Sequence, residues 1–277
     1  MKKLVFIGAG SMAEALISGI VENQLVDGKD IWVTNQQNEK KLALLQTQYG
    51  IHYTYDLRLL FQGADAVILA MKPKDAATAV SKIKDYLTKD VLLISVLAGV
   101  SIETIETLAD QQLAIARAMP NTSAAVGKSA TAIAVNQRVT EQQSRIISEL
   151  FATVGMTAFV AEDDLDAVTG LSGSGPAYIY YLVEAMENSA AEIGLERAMA
   201  KELIVQTLIG AAEMLKTSEK SPSQLRKEVT SPGGTTEAGI QILQENGVQE
   251  AFIACIKAAA ARSRKMGEEL TERFQLS

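Results

Sequence analysis

The sequence predicts an α/β protein in which a Rossmann-like, doubly wound sheet is followed by an all-α domain. Two observations carry this prediction. Short apolar runs alternate with helical patterns over residues 1–161, which is typical of parallel sheets covered by helices. From Asp163 onward the pattern is helical, without a further candidate strand. We therefore place one domain at residues 1–161 and a second at residues 162–277.

The first predicted strand, Lys3–Ile7, is too short for a helix and apolar enough to be buried on both faces. A glycine-rich turn follows, and an amphipathic pattern begins at Glu14. This is the context that the dinucleotide fingerprint G-x-G-x-x-G/A requires, although a turn with a purely structural role is the alternative. The candidate cofactor-binding residues here are Gly8, Ala9, Gly10, Ser11, Met12 and Ala13.

The second predicted strand, Ile31–Thr34, ends at Asn35, where an acidic residue would hold the free 2′-hydroxyl of NAD. Neutral amides stand there instead, and Lys40 and Lys41 follow about one helical turn later. The pattern tolerates a 2′-phosphate, and it therefore favours NADP over NAD. The alternative interpretation places the two lysines on a solvated helix face.

Six further strands are predicted, with a helix at about Thr140–Thr153 before the last. One of them begins at Gly50-Ile51. The other five span Ala66–Ala70, Val91–Ser95, Leu113–Arg117, Thr131–Val135 and Met156–Val160. Because the carboxyl ends of parallel strands meet at one edge, the loops after them predict a cofactor and substrate edge. The single histidine, His52, is interpreted as a surface or cofactor-flanking residue rather than a general acid.

The second domain is predicted to be helical and to bury apolar faces against another subunit. Ser174 is expected to cap its first long helix, with Pro176 in the first turn. That helix is apolar nearly all round, so it must be buried in a core or against a partner, and we expect a tight homodimer. Cys255, in an alanine-rich pattern, is interpreted as a small core residue. Further helices are predicted at about 198–216, 223–228, 235–246 and 249–270.

Charge and composition narrow the classes of partner. The net charge of −7 argues against nucleic acid, because phosphate binding needs a basic surface. Met1-Lys-Lys does not begin a recognisable signal peptide, and no run of about 18 apolar residues could span a bilayer. One histidine and one cysteine leave no zinc-type ligand cluster. We expect a cytoplasmic protein without metal, membrane or nucleic-acid partners.

The stretch Val229–Gly239 places two glycines and several hydroxyl residues just before a helical pattern. Backbone N–H groups at a helix start lack intrahelical partners and carry the positive end of the helix dipole, so a small anion can bind there. Thr236 adds a hydroxyl at the same place. An ordinary helix cap after a Pro-Gly turn is the alternative.

Taken together, these motifs resemble the pyrroline-5-carboxylate reductase family over essentially the whole chain. The matching segments are Ile7–Ala13, Ala70–Pro73, Ala98-Gly99, Met119–Asn121, Val168–Ala177 and Ser231–Thr236. The family reduces the cyclic imine of 1-pyrroline-5-carboxylate to L-proline with NADPH or NADH, the last step of proline biosynthesis. The resemblance implies a Rossmann-like domain and a helical domain that forms a homodimer, often within a ring of dimers.

The resemblance also assigns residues. The cofactor would contact the fingerprint and a second set of residues at the same edge: Asn35, Ala70, Met71, Lys72, Pro73 and Ala98. The substrate, which carries a carboxylate and a cyclic imine, would contact Ser231, Gly233, Gly234, Thr235 and Thr236. Relatives often carry Arg where this chain has Gln36-Gln37, and several carry Asn near Leu57.

A protonated imine accepts hydride readily, so the implied reaction needs neither a nucleophile nor a metal. Thr236 is the catalytic candidate, with the hypothesis that its hydroxyl binds the imine nitrogen. Two other classes stay open. A dehydrogenase of 3-hydroxy acids would need a lysine after the Gly-Ser-Gly segment, and Ala177–Ile193 contains none. A non-catalytic NADP sensor would not need the Ser231–Thr236 cluster.

Overall fold

The computed structural model describes residues 1–275, which contain one sheet of eight strands. The strands are β1 (Leu4–Ile7), β2 (Ile31–Thr34), β3 (His52–Tyr53), β4 (Ala66–Leu69), β5 (Leu92–Ser95), β6 (Ala114–Met119), β7 (Ser129–Val135) and β8 (Gly155–Phe159). Their order in the sheet is β3-β2-β1-β4-β5-β6-β7-β8. All described neighbours are parallel except β6 and β7, which are antiparallel.

Twelve α-helices accompany these strands over the described residues. Six alternate with strands: α1 (Ser11–Glu22), α2 (Glu39–Tyr49), α3 (Leu57–Phe61), α4 (Ala76–Ile83), α5 (Ile102–Ala109) and α6 (Glu141–Ala152). Six follow the sheet: α7 (Leu165–Val168), α8 (Gly175–Glu192), α9 (Arg197–Thr217), α10 (Pro222–Glu228), α11 (Thr235–Glu245) and α12 (Val248–Gln275). No strand follows β8 in the described residues, so the predicted change from α/β to helical structure is confirmed.

The sheet is covered by helices on both faces, as a doubly wound fold requires. Alternate residues of a strand point to opposite faces, so Leu4 and Phe6 join one apolar cluster and Val5 and Ile7 the other. The first cluster includes side chains of α1, α2 and α6, and the second includes side chains of α3, α4 and α5. Every residue of β1, β4 and β5 is buried, which explains why these strands are continuously apolar.

Chain contacts divide the molecule into two compact units. The N-terminal unit is Met1–Pro176 together with the last helix from Lys257, and the helical unit is Ala177–Ile256. The boundary predicted after residue 161 from the sequence pattern stays a prediction. The return of the last helix to the N-terminal unit was not foreseen, because periodicity alone gives no information about which surface a helix contacts.

The start of α8 differs from the predicted cap. Ser174 has the helical angles φ −86° and ψ −12°, and its N–H group donates to the Thr169 carbonyl at 2.8 Å. A π-helical turn over Thr169–Gly173 connects α7 to α8 and supplies that carbonyl. Ser174 is therefore not an N-cap, because an N-cap residue has non-helical angles and Ser174 continues the preceding helical turn. Pro176 does lie in the first turn of α8.

The structure also tests the positions expected for Cys255 and His52. Cys255 is exposed, so its interpretation as a core residue is wrong for the single chain. The alanine-rich pattern around it produces a helix without deciding which face is covered. His52 is exposed on β3, in agreement with a surface position, and its ring centroid lies 4.8 Å from that of Trp32.

Candidate functional site

The carboxyl ends of β1, β2, β4 and β5 form a single edge. The Gly8 N–H group donates to the Thr34 carbonyl at 2.8 Å, and the Ala70 N–H group donates to the Ile7 carbonyl at 2.9 Å. On the next strand, the Val96 N–H group donates to the Leu69 carbonyl at 3.0 Å. The loops after these strands therefore lie side by side. The structure brings together the predicted segments Gly8–Ala13, Asn35 and Ala70–Pro73, with Ala98 in the loop after β5.

Gly8 and Gly10 meet different requirements in the first loop. Gly8 has φ +115°, and a Cβ atom there would lie 2.5 Å from the Ala70 carbonyl oxygen. The turn therefore needs a glycine. A Cβ atom at Gly10 would meet no atom within 4 Å, and Gly10 precedes α1 without a side-chain cap. The start of α1 is thus unobstructed at Gly10 and its first N–H groups have no side-chain cap, which fits a dinucleotide pyrophosphate.

A cavity of about 300 Å³ lies beside this turn. Its lining includes Gly8, Asn35, Tyr55, Leu57, Met71 and Lys82. The Tyr55 hydroxyl donates to Asn35 Oδ1 at 3.1 Å. Partial burial, followed by the negative charge of Glu39, raises the pKa of the Tyr55 phenol above its ordinary value.

Tyr55 is a site residue that the sequence reasoning missed. It precedes α3 at the edge where the other loops meet, and this position between a strand and a helix was the available signal. Several relatives carry Asn near the position of Leu57, and Leu57 lines the same cavity here. Tyr55 and Leu57 therefore line this cavity together with Asn35.

The two lysines expected near a 2′-phosphate have different surroundings. Lys41 Nζ lies 2.6 Å from Glu14 Oε2, and the two side chains are only 25% and 31% exposed. Lys40 is exposed on α2, as the alternative interpretation of a solvated face described. The Glu14 carboxylate, on α1, partly neutralises the charge of Lys41.

The predicted substrate segment forms the start of α11. Gly234 is the N-cap and has no side-chain cap, and Gly233 has φ +70°. The Gly233 N–H group donates to Glu237 Oε2 at 2.7 Å, and the Gly234 N–H group donates to the Ser231 carbonyl at 3.0 Å. Two of the amides expected to bind a carboxylate are thus engaged within the turn. The first helical hydrogen bond runs from the Ala238 N–H group to the Gly234 carbonyl at 3.2 Å, so the N–H groups of Thr235, Thr236 and Glu237 lack intrahelical partners.

The turn is tight at position 234, where a Cβ atom would lie 2.7 Å from Ser231 Oγ and 3.0 Å from the Ser231 carbonyl oxygen. Thr235 and Thr236 are exposed in the single chain. Among the described residues, no group of three or more His, Cys, Asp or Glu side chains could hold a metal ion. In the same part of the chain, no helix is long and apolar enough to cross a membrane.

The sheet order and the open glycine turn define a dinucleotide-binding protein of the Rossmann-like class. Two family models match this chain. Residues 162–266 match a model described as pyrroline-5-carboxylate reductase dimerisation, and residues 3–99 match one described as NADP oxidoreductase, coenzyme F420-dependent. Both matches agree with the predicted order of a cofactor domain followed by a dimerisation domain.

Relatives agree over nearly the full length. Pyrroline-5-carboxylate reductase 2 of Bacillus subtilis is 47% identical over 269 residues, which cover 97% of this chain and 96% of the relative. The Staphylococcus aureus enzyme is 39% identical over 261 residues, covering 94% of this chain and 96% of the relative. The chain belongs to the pyrroline-5-carboxylate reductase family.

Solved structures give the same result. The reductase of Coxiella burnetii has a TM-score of 0.87 and 38% identity, with 96% of this chain and 98% of that chain covered. The Plasmodium falciparum reductase, solved with NADP bound, has a TM-score of 0.86 and 29% identity, with the same coverage.

These relatives confirm the function expected from the resemblance. The chain is an oxidoreductase that reduces 1-pyrroline-5-carboxylate to L-proline. The expected NADP cofactor agrees with the family model for residues 3–99 and with the Plasmodium structure. The match to a dimerisation model supports the expected homodimer.

Proposed function

We propose that the reaction is carried out by a cofactor cleft in the N-terminal unit and a substrate-binding turn at the start of α11. The observation that supports the cleft is the open space at Gly10, where the N–H groups at the start of α1 lack a side-chain cap. The backbone of Gly8–Ala13 would hold the pyrophosphate. The remaining cofactor residues are Asn35, Ala70, Met71, Lys72, Pro73 and Ala98.

The cavity at Asn35 would hold the adenosine end of NADPH. Asn35 Nδ2 donates to the Asn38 carbonyl at 2.7 Å, and its Oδ1 accepts from Tyr55, so the amide is fixed from both sides. NADPH stays the favoured reductant and NADH a possible one, since no acidic residue follows β2 before Glu39.

The substrate-binding turn would consist of Ser231, Gly233, Gly234, Thr235 and Thr236. The substrate carboxylate would bind the N–H groups of Thr235 and Thr236, which also carry the positive end of the α11 dipole. Thr236 would contact the imine nitrogen with its hydroxyl. Ser231 and the two glycines would shape the turn, because the Gly233 and Gly234 N–H groups are engaged within it.

Bound NADPH supplies the hydride, and the residues of this chain supply position. Correct orientation of reacting groups can account for about 7–11 kcal/mol of a reaction barrier. The proposed role of Thr236 is to orient the imine and to keep a proton at its nitrogen. A positioned proton donor contributes roughly 10²–10⁴-fold to rate, so its loss is measurable.

The first test measures NADPH oxidation by the purified protein with 1-pyrroline-5-carboxylate and, separately, NADP reduction with 3-hydroxy acids. Thr236→Val should lower kcat/KM for the imine by roughly 100-fold, within the range for a lost proton donor. Thr230→Val is the matched control, because the Thr230 hydroxyl already donates to the Arg226 carbonyl at 2.6 Å. An unchanged kcat/KM for Thr236→Val would exclude the proposed role of its hydroxyl.

The carboxylate contact has its own test. L-Proline should inhibit the enzyme far more strongly than pyrrolidine, which has the same ring without the carboxylate. Equal inhibition by both would argue against carboxylate binding at the start of α11. The 3-hydroxy acid arm of the first test distinguishes this reductase from a dehydrogenase of 3-hydroxy acids. That class needs a lysine that Ala177–Ile193 lacks, so no activity is expected with 3-hydroxy acids.

The proposal also covers the assembly, the domain boundary and the cellular location of the protein. We propose that the homodimers assemble further into a ring and that the functional boundary lies after residue 161. The start of the matched dimerisation model at residue 162 supports that boundary. We also propose a cytoplasmic location, because a chain with one cysteine cannot form an internal disulfide.

A further inference from the structure

The C-terminal part of α12 is held against the N-terminal unit by three contacts on one helix face. Ser263 Oγ donates to Asp166 Oδ1 at 2.6 Å. Leu270 packs against the apolar cluster of Val5 and Ile7. Thr271 Oγ1 lies 3.1 Å from Thr104 Oγ1. Residues spaced by seven or eight positions share a face of a helix, so this face of α12 is built for contact.

Gly267 lies at the centre of that face and touches the loop after β5. A Cβ atom at Gly267 would lie 2.8 Å from the Gly99 carbonyl oxygen, closer than real Cβ contacts. Gly99 has φ +73°, and a Cβ atom on it would lie 3.2 Å from the Gly267 backbone nitrogen. The two backbones therefore approach as only a pair of glycines permits.

Neighbouring contacts fix both sides of this loop. On one side, β5 pairs in parallel with β4, whose own loop is Ala70–Pro73. On the other side, Ser101 caps α5, with its Oγ accepting from the Thr104 N–H group at 3.0 Å. The Thr104 hydroxyl then contacts Thr271. The stretch between β5 and α5 is thus tied at its two ends and rests on α12 in the middle.

We propose that Gly267 is a positioning residue for the cofactor cleft. Ala98 precedes Gly99, so any side chain at Gly267 that displaces the Gly99 carbonyl also displaces Ala98. This inference rests on the proposed cofactor cleft, in which Ala98 contacts NADPH. It gives the last helix a role in the reaction in addition to its packing.

The experiment compares NADPH affinity with thermal stability in the full-length protein. NADPH fluorescence titration should show a roughly tenfold weaker Kd for Gly267→Ala, equivalent to about 1.4 kcal/mol. The KM for the imine should stay unchanged. Glu268→Ala is the matched control, because Glu268 is exposed on the same turn of α12, and it should bind NADPH like the wild type.

Thr271 provides a second variant that avoids a backbone clash. Thr271→Val removes the hydroxyl contact with Thr104 and should weaken NADPH binding, while Thr271→Ser should restore it. If Gly267→Ala and Thr271→Val lower the Tm yet bind NADPH with wild-type affinity, the contact is only structural and the inference is overturned. If the wild-type protein does not bind NADPH, the proposed cleft itself is wrong.

Discussion

The two units bury their apolar residues to very different extents. In the N-terminal unit, β1, β4 and β5 are buried along their whole length. In the fully described stretch 177–256, the buried hydrophobic residues are Ala190, Ala200 and Ile204. Large side chains there are open to solvent, such as Tyr181 at 74% and Ile209 at 57% exposure. The N-terminal unit completes a core within one chain, whereas the helical unit requires a second copy to cover its surface.

This contrast explains the prediction for α8. This helix is apolar on nearly every face, so either a core or a second subunit was expected to cover it. The single chain leaves Ile179, Tyr180 and Met186 exposed. The match of residues 162–266 to a dimerisation model selects the second alternative. The same contrast explains Cys255, since a residue left exposed by one chain says nothing of its surroundings in the dimer.

The largest effect should come from a charge placed on the helical unit. Leu203→Glu would put a carboxylate on a residue that is 56% exposed in one chain and that we expect the partner to cover. An unpaired buried charge costs on the order of several kcal/mol, which weakens the dimer by roughly 100-fold or more. Light scattering should show monomers, and NADPH oxidation should fall with them.

Leu44→Glu is the matched control for that variant. Leu44 is 52% exposed on α2 of the N-terminal unit, where no partner is expected. The Leu44→Glu protein should stay dimeric and active. A dimeric, active Leu203→Glu protein would contradict the contrast between the units, and so would equal damage from both substitutions.

An intermediate effect should separate fold from site within the N-terminal unit. Gly8→Ala would force a methyl group to within 2.5 Å of the Ala70 carbonyl, so both the Tm and NADPH binding should fall. Gly10→Ala meets open space, so the Tm should stay unchanged while the methyl group blocks the pyrophosphate. We expect its Kd for NADPH to rise roughly tenfold or more, equivalent to about 1.4 kcal/mol. Wild-type affinity in Gly10→Ala would argue against the proposed cleft.

The smallest effect should come from a helix cap in the helical unit. The Glu196 carboxylate accepts from the N–H groups of Ala198 and Met199, and these bonds lower its pKa. A lowered pKa stabilises the folded state above the usual pKa of glutamate, and this contribution is lost as the pH falls through the folded value. Glu196→Ala should therefore lower the Tm slightly at neutral pH and leave it unchanged in acid, where the wild-type carboxyl is also protonated. A Tm difference that persisted in acid would exclude this origin.

Much of the N-terminal unit could be predicted because its signals are local. The apolar run Lys3–Ile7 became β1 at Leu4–Ile7, and the glycine turn after it connects β1 to α1 as expected. The Ser231–Thr236 turn likewise starts α11 at Thr235. A buried parallel strand must be apolar throughout, and a helix start needs small or capping residues, so both leave clear marks in sequence.

Contacts between distant residues could not be predicted in this way. The ion pair of Lys41 with Glu14 joins residues 27 positions apart and changes the interpretation of that lysine. The π-helical turn that replaces the Ser174 cap depends on a hydrogen bond to Thr169 that no propensity specifies. Tyr55 belongs to the cavity only because the ends of β1, β2 and β4 meet beside it.

By itself, the sequence determined the order of strands and helices, the glycine turn after β1 and the family to which the chain belongs. These features follow from residue types and spacings along a short stretch of chain. Only the tertiary structure decided that the last helix returns to the N-terminal unit and that Gly267 meets Gly99. The physical reason is that hydrophobic periodicity specifies that a face must be covered, whereas the covering partner is selected by packing across the whole fold.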